Sequence, residues 1–177
     1  TRRSSDLQWF FKTGPGQYGE GDIFLGVAVP NTRIVAGRHK HEDLSIIESL
    51  LHSKFHEERL CGVFILVGQY KRSKSEAQRA ELFNFYLGML AAGRVNNWDL
   101  VDVSANRFGK ELIGDPKAIE FLLKRAKSKN LWIQRSAAIL TFPLIAQFDM
   151  APTIAVCEEL VDHPHDLIHK AVGWSLR

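Results

Sequence analysis

Residues 128–140, with the sequence SKNLWIQRSAAIL, decide the fold. The polar pair Ser128-Lys129 interrupts the chain, and the apolar side chains that follow recur at the spacing of an amphipathic helix. The same Ser-Lys pair stands at positions 53 and 54, just before another helical pattern that extends to Tyr70. Recurrence of one pattern within a chain indicates a structural repeat.

Helical patterns follow one another from Asp43 onward, and the short Ile23–Val29 segment is the one place with an alternating strand pattern. Asp43 and Asn97 are expected to cap helices, and Pro116 is expected at the first position of another. The predicted helices cover 44–51, 59–70, 82–93, 98–108, 116–123, 131–142 (bent at Pro143), 152–160 and 166–176. The sequence therefore predicts an all-α protein.

Four charged residues occupy equivalent positions when the second helix of each predicted pair is superposed. These are Arg59, Asp102, Arg135 and Lys170, at spacings of 43, 33 and 35 residues. Such a period is typical of an α-solenoid of HEAT-like helical repeats. The four side chains would then line a concave basic face; the alternative is a plain solvated face.

The length predicts a single domain over residues 1–177. Because the sequence starts on Thr1 and stops on Arg177 inside an amphipathic stretch, we expect both ends to be trimmed from a longer protein. Apolar residues make up 45% of the chain, enough for a hydrophobic core, and the net charge is +3. The longest apolar run, 60–68, is too short to span a bilayer, so we expect no membrane partner. Cys61 and Cys157 lie in apolar stretches without metal or disulfide spacing, which indicates reduced cysteines in a cytoplasmic protein.

The positive charge is concentrated in residues 121–148, which hold five basic side chains and no acidic one. They are Lys124, Arg125, Lys127, Lys129 and Arg135. This segment carries +5, whereas the rest of the chain sums to −2. Clustered cations bind phosphates by displacing counterions, although a solvated surface remains an alternative.

Two further motifs favour structural interpretations. Gly14–Gly19 matches GxGxxG, but an aromatic run precedes it instead of a strand, so we expect a loop. His39 with His41, and His163 with His165, lack the spacing of closed zinc sites, so we expect solvent-exposed loop histidines and no metal.

The stretch Asn96-Asn97-Trp98-Asp99-Leu100-Val101-Asp102 is the most informative for chemistry. Trp98 and Asp102 are four residues apart and therefore share one helix face, whereas Asp99 suits the first turn of the helix. Asp102 lies too deep in the helix to interact with the helix dipole. A structural role for this pair is the alternative to a functional one.

These motifs resemble the bacterial DNA alkylation repair enzymes of the AlkD type, which are HEAT-like-repeat DNA glycosylases. The resemblance extends from Ile23-Phe-Leu-Gly-Val to Arg177, and the family continues past that residue. It is carried by Trp98-Asp-Leu-Val-Asp102, by the Leu131–Leu140 stretch and by Gly173-Trp174. Phe10 and Phe11 are both candidates for an aromatic residue of the family's first helix.

The resemblance implies hydrolysis of the N-glycosidic bond of N3- or N7-alkylated purines, such as 3-methyladenine and 7-methylguanine, in duplex DNA. Asp102 would stabilise the oxocarbenium-like sugar and position water, Trp98 would pack on the sugar, and Arg135 would hold phosphate. The expected DNA-binding residues are Arg59, Lys129, Lys170, Trp174 and Arg177. We expect a monomer without a cofactor. The family is known to act without a base-binding pocket, but the sequence leaves base flipping open.

Two other functions remain open at this point. One is a non-catalytic repeat protein that binds damaged or branched DNA, and the other is a protein-interaction scaffold. The presence of both Trp98 and Asp102 favours the enzyme, and the basic segment 121–148 argues against the scaffold.

Overall fold

The structure, a computed structural model, describes residues 4–177, with side chains from Asp6 onward. Within this range the chain forms α-helices, one 3₁₀ helix and no strand, which confirms the all-α prediction. The helices are α1 (Ser4–Phe10), α2 (Val29–Arg38), α3 (Leu44–Leu51), α4 (His56–Arg72), α5 (Glu76–Ala91), α6 (Trp98–Phe108), the 3₁₀ helix (Gly109–Leu112), α7 (Ala118–Ala126), α8 (Leu131–Leu140), α9 (Phe142–Ile145), α10 (Ala151–Leu160) and α11 (Asp166–Ser175).

Packing divides the chain into two compact units that join at Leu100 and Val101. In the first unit, α2, α3 and α5 pack on α4, which is buried along most of its length. Gly62 allows α3 and α4 to approach closely, because a Cβ there would lie 3.1 Å from the Leu50 Cβ. The long apolar stretch predicted from the sequence thus becomes the central helix of this unit.

The second unit shows the repeat most clearly. Its helices form two pairs, α7 with α8 and α10 with α11. The first helices of the two pairs contact each other, and so do the second helices. Gly109 lies against this core, since a Cβ there would be 2.1 Å from the carbonyl oxygen of Leu140. Stacking of like helices on like helices is the arrangement that a helical repeat requires.

The same turn precedes three helices, α4, α8 and α11. Ser53 Oγ accepts a hydrogen bond from the backbone N–H of residue 55, and Ser128 Oγ accepts one from residue 130. His163 Nδ1 plays the equivalent part toward His165. The Ser-Lys pair that recurs in the sequence is therefore a structural signature of helix entry, which His163 reproduces 35 residues after Ser128.

Several predicted boundaries were wrong. Pro116 does not open a helix; Asp115 and Pro116 form a turn, closed by the Asp115 carboxylate and the Lys117 N–H, and α7 begins at Ala118. The Ile23–Val29 segment forms no strand beyond one isolated bridge between Ile23 and residue 55. The predicted bend at Pro143 is a break between α8 and α9.

The predicted loop at Gly14–Gly19 is confirmed. It connects α1 to the segment before α2 and folds back on itself, because the Gly19 N–H donates to the Lys12 carbonyl. A Cβ at Gly19 would lie 2.4 Å from the Phe11 carbonyl oxygen, so this close approach requires glycine. Across residues 4–177, no helix is both long and apolar enough to cross a membrane.

Candidate active site

The first turn of α6 is held by its own polar side chains. Asn97 Oδ1 accepts a hydrogen bond from the Trp98 N–H at 2.8 Å, and Asp99 Oδ1 accepts one from the Leu100 N–H at 2.8 Å. Both satisfy N–H groups that a helix N-terminus leaves unpaired. Trp98 and Asp102 consequently lie one turn apart at the beginning of a well-anchored helix, as the sequence predicted.

Asp102 and Arg135 form a bidentate ion pair in the second unit. Arg135 Nε donates to Asp102 Oδ1 at 2.8 Å, and Nη2 donates to Oδ2 at 2.7 Å. The third guanidinium nitrogen, Nη1, donates to the carbonyl oxygen of Leu167. Arg135 is buried, while the Asp102 side chain remains 15% exposed. This geometry fixes the orientation of a carboxylate that solvent can still reach.

Trp98 ends a continuous stack of rings in the first unit. Its indole stacks on Phe11 with centroids 5.4 Å apart, Phe11 stacks on Phe24 at 4.8 Å, and Phe24 stacks on His56 at 4.6 Å. Phe10 meets the indole edge-on at 6.0 Å. Both candidates for the family's first-helix aromatic therefore contact Trp98.

A buried polar cluster supports this stack. His56 Nδ1 and Nε2 donate to Asp22 at 3.1 Å and to Asp99 at 2.8 Å. Asp22 also accepts hydrogen bonds from Arg59 at 2.5 Å and from Asn97 at 2.9 Å. Because Asn97 and Asp99 also cap α6, the cluster connects α4 and the residue 22 loop to the helix that carries Trp98.

The hydrogen bonds and charges of the cluster favour the ionised forms of His56 and Asp22. Burial alone would lower the pKa of His56, but its hydrogen bonds to the carboxylates of Asp22 and Asp99 raise the pKa to about 9. Burial likewise opposes ionisation of Asp22, yet the hydrogen bond from His56 and the charge of Arg59 lower the pKa of that carboxyl. At neutral pH the cluster therefore contains an imidazolium between two carboxylates.

Four of the five predicted DNA-binding residues are exposed on the surface. They are Lys129, Lys170, Trp174 and Arg177. Lys170 pairs with Asp166 across one helical turn at 2.8 Å, and Trp174 makes an edge contact with Phe142. Exposed ion pairs of this kind are weak, so Lys170 can exchange its partner for a phosphate.

Arg59, also predicted to bind DNA, is buried. Its guanidinium is buried and donates to Asp22 and to the carbonyl oxygen of Ser53, so a phosphate contact would require this pair to open. Arg135 is likewise buried against Asp102 and the protein backbone, in place of the expected phosphate contact. The aligned charged positions of the repeat are thus partly internal ion pairs.

The histidine pairs were predicted as exposed loop residues, and the second pair corrects that prediction. His39 and His41 are exposed, and His39 contacts Glu42. His163 and His165 are half-buried, and each accepts a backbone hydrogen bond at the entry to α11. Among residues 4–177 no group of three or more His, Cys, Asp or Glu side chains is arranged to hold a metal ion.

Sequence reasoning missed Asp22 and His56 as site components. Asp22 belongs to a glycine-rich loop, and His56 is a single histidine in a helix whose other residues supply the core. Their partners are 34 to 75 positions away in the chain, so no local spacing reveals them. The direct adjacency of Asn97 and Asp99 to Trp98 was the available signal.

Comparisons with known proteins bear on this site. The family model of the DNA alkylation repair enzymes matches residues 1–177, which confirms the resemblance carried by the Trp98–Asp102 motif. The comparisons with curated proteins and with solved structures give no match. On the strength of a match over its whole length, the chain belongs to the family of DNA alkylation repair enzymes.

Proposed function

We propose that this protein is a DNA glycosylase that hydrolyses the N-glycosidic bond of cationic N3- or N7-alkylated purines in duplex DNA. Membership in the family of DNA alkylation repair enzymes supports alkylated DNA as the substrate. The observation that supports hydrolysis is the Asp102 carboxylate, which is accessible yet held at both oxygens by Arg135. It lies on α6 together with Trp98.

The chemistry suits these side chains. An alkylated purine already carries positive charge, so the bond from C1′ to the base nitrogen breaks with its electron pair going to the base, and no strong general acid is needed. Positive charge then develops on the deoxyribose, which a fixed carboxylate stabilises. Asp102 would also orient the water whose oxygen adds to C1′ and whose proton is released. Trp98 would pack against the cationic sugar.

We assign Arg135 a positioning role in place of the phosphate contact expected from the sequence. Its bidentate contact with Asp102 makes it a positioning residue that holds the carboxylate in one orientation. We assign phosphate contacts to the exposed cations Lys129, Lys170 and Arg177, with Trp174 packing beside the DNA. Together they give the salt-dependent affinity that a polyanion requires.

The cysteines argue against a different repair chemistry. Transfer of an alkyl group to protein requires a reactive thiolate. Cys61 and Cys157 are both buried and unpaired, and burial raises the pKa of each thiol. Both side chains therefore stay protonated in the core, where they act as small apolar residues.

Asp102→Asn tests the proposal, since it keeps the size of the side chain and removes its charge. We expect base release from methylated duplex DNA to fall about a hundredfold or more, with DNA affinity within about twofold of wild type. Asp149→Asn, which neutralises an exposed carboxylate of the same unit, is the matched control and should release bases normally.

Three outcomes would contradict the proposal in different ways. Equal release by Asp102→Asn would remove the role given to Asp102. Binding to alkylated DNA without release by the wild type would indicate a non-catalytic DNA-binding protein. Absence of both binding and release would indicate an interaction scaffold.

A further inference from the structure

A groove between α2 and α4 gathers four cations within the first unit. Arg33 lies on α2 and Lys40 follows its end, while Lys71 and Arg72 close α4. Among the described residues that line the groove, none is acidic. Its volume of about 200 Å³ is below the range of about 300 to 1,000 Å³ typical of small-molecule sites. The groove therefore suits one part of a larger anionic ligand.

The two walls of the groove run in the same direction. Phe64, Gly68 and Arg72 are spaced four residues apart and share one face of α4. The Arg33 guanidinium lies over the Phe64 ring, 4.2 Å from its centroid. At the other end, Arg72 Nη2 donates to the carbonyl oxygen of Lys40 at 2.7 Å. These ends are eight residues of α4 apart, or about 12 Å, which is the axial length of about three phosphates on one strand of a DNA duplex.

Both arginines are held in place and keep donors for a ligand. A guanidinium has five N–H donors at its edge, and the Lys40 carbonyl occupies one of those on Arg72. Cation–π contact with the ring beneath Arg33 uses the face of the guanidinium and leaves its edge. A Cβ at Gly68 would lie 3.2 Å from Arg72 Nη1, so glycine lets this guanidinium approach α4 closely. Arginines fixed in this way lose little freedom on binding, and their planar fork matches the oxygens of a phosphate.

Helix dipoles and nearby carboxylates explain only part of this charge. Cations are favoured in the last turn of a helix, where Arg38 and Arg72 lie, but Arg33 is in the middle of α2. Lys40 and Arg72 also border a neighbouring cavity, whose acidic lining residues are Glu42, Asp43 and Glu81. Arg33 lines the groove alone, so neither explanation applies to it.

We propose that this groove binds successive phosphates of a DNA strand, which gives the first unit a backbone-binding surface of its own. The inference rests on the proposed function, because family membership favours DNA over other polyanions. The arginines at the two ends supply the forked donors that phosphate oxygens accept, and a row of cations matches a strand whose charge repeats. Contacts of this kind fix the position of the protein on the duplex without reading its sequence.

Three substitutions that each remove one positive charge test the groove. Arg33→Gln and Lys40→Gln change residues that line it, whereas Arg38→Gln changes an exposed arginine of α2 that does not. All three side chains are exposed, so the fold is retained. The measurement is the affinity for an unmodified duplex over a range of salt concentrations, which requires no catalysis.

We expect Arg33→Gln and Lys40→Gln each to reduce the slope of log affinity against log salt by about one, and the double variant by about two. Arg38→Gln should keep the wild-type slope. An unchanged slope in the double variant would overturn the inference. An equal reduction by Arg38→Gln would also overturn it, since the loss would then follow net charge instead of the groove.

Gly37 offers a second test that keeps every cation. It lines the groove, and a Cβ there would meet nothing within 4 Å, so a larger side chain can be accommodated. Gly37→Glu and Gly37→Gln are matched in size and differ by one negative charge. We expect Gly37→Glu to bind the duplex about tenfold more weakly than Gly37→Gln at low salt, because the added carboxylate repels phosphates. Equal affinities of the two variants would contradict a phosphate site.

Two controls on the wild type separate this inference from the proposed function. Slopes that change as expected, in a protein that releases no base from methylated DNA, would contradict the glycosylase proposal and leave the groove assignment in place. Absence of duplex binding by the wild type would overturn the groove assignment. Displacement of the duplex by a polyglutamate peptide as readily as by DNA of equal charge would overturn the choice of DNA as the ligand.

Discussion

Arg135 illustrates at the scale of one residue how the candidate site is held together. Arg135→Ala would leave Asp102 without its bidentate partner and the Leu167 carbonyl without its donor. We expect the free energy of unfolding to fall by about 3 kcal/mol, as for other buried pairs that lose one member. Arg107→Ala, at an exposed arginine of α6, should change it by less than about 0.5 kcal/mol in the same denaturant titration.

Arg135→Ala also distinguishes a positioning role of Arg135 from direct binding of a phosphate. If Arg135 acts through Asp102, base release falls while the salt dependence of DNA affinity keeps its wild-type slope. A slope reduced by about one would show instead that Arg135 contacts a phosphate directly.

His56 makes the stability of the first unit depend on pH. Its pKa of about 9 in the folded protein exceeds the ordinary value of 6.5, so its contribution is complete below about pH 6.5 and is lost as the pH rises through 9. We expect wild type to lose stability between about pH 7 and about pH 10, and His56→Gln to lose less over that range. The measurement is urea unfolding at both pH values, and parallel losses in the two proteins would contradict the role given to His56.

Residue spacing predicted Trp98 and Asp102 because both lie on one helix, where periodicity alone places side chains on a common face. It did not reveal that Arg59 is buried, because spacing shows that a charge recurs but not what it faces. The partner of Arg59 is Asp22, 37 positions earlier in a loop, and only the folded chain brings the two together.

At the scale of elements, helices with a buried apolar face were predictable and α2 was not. The helices α4, α8 and α11 bury a continuous set of apolar side chains, which produces the expected spacing. In α2 only Thr32 and Ala36 are buried, so no apolar stripe marks it in the sequence. Its first turn contains Pro30, which is the one local signal for its start.

The helix pair α7–α8 provides a test of the basic segment. Lys129 lies in the turn between the two helices, whereas Lys117 lies at the opposite end of α7, and both are exposed. We expect Lys129→Ala to weaken DNA binding uniformly across sequences and to reduce the slope of log affinity against log salt by about one. Lys117→Ala should leave the slope unchanged, and equal effects of the two variants would contradict a DNA-binding surface in segment 121–148.

Two glycines of the second unit should respond to alanine in opposite directions. A Cβ at Gly109 meets the Leu140 carbonyl, so Gly109→Ala must displace the backbone and should cost about 2 kcal/mol or more. Gly173, inside α11, has open space around the added methyl, so Gly173→Ala should stabilise by about 0.5 to 1 kcal/mol. Thermal unfolding compares the two variants. Wild-type stability of Gly109→Ala would contradict the packing described for Gly109, and destabilisation by Gly173→Ala would contradict the open space at Gly173.

At the scale of the whole molecule, a net charge of +3 conceals an uneven distribution. The first unit contains a charged cluster around His56, and the second exposes Lys124, Lys127 and Lys129. Under the proposed function, the exposed cations of the second unit would contact the DNA backbone.

Repair by hydrolysis of the glycosidic bond releases a free base and leaves an abasic site. The decisive experiment incubates the purified protein with duplex DNA that has been methylated and identifies the products by mass. We expect free 7-methylguanine or 3-methyladenine together with abasic sites in equal amount. Unmodified guanine or adenine restored within intact DNA, with no free base, would contradict it.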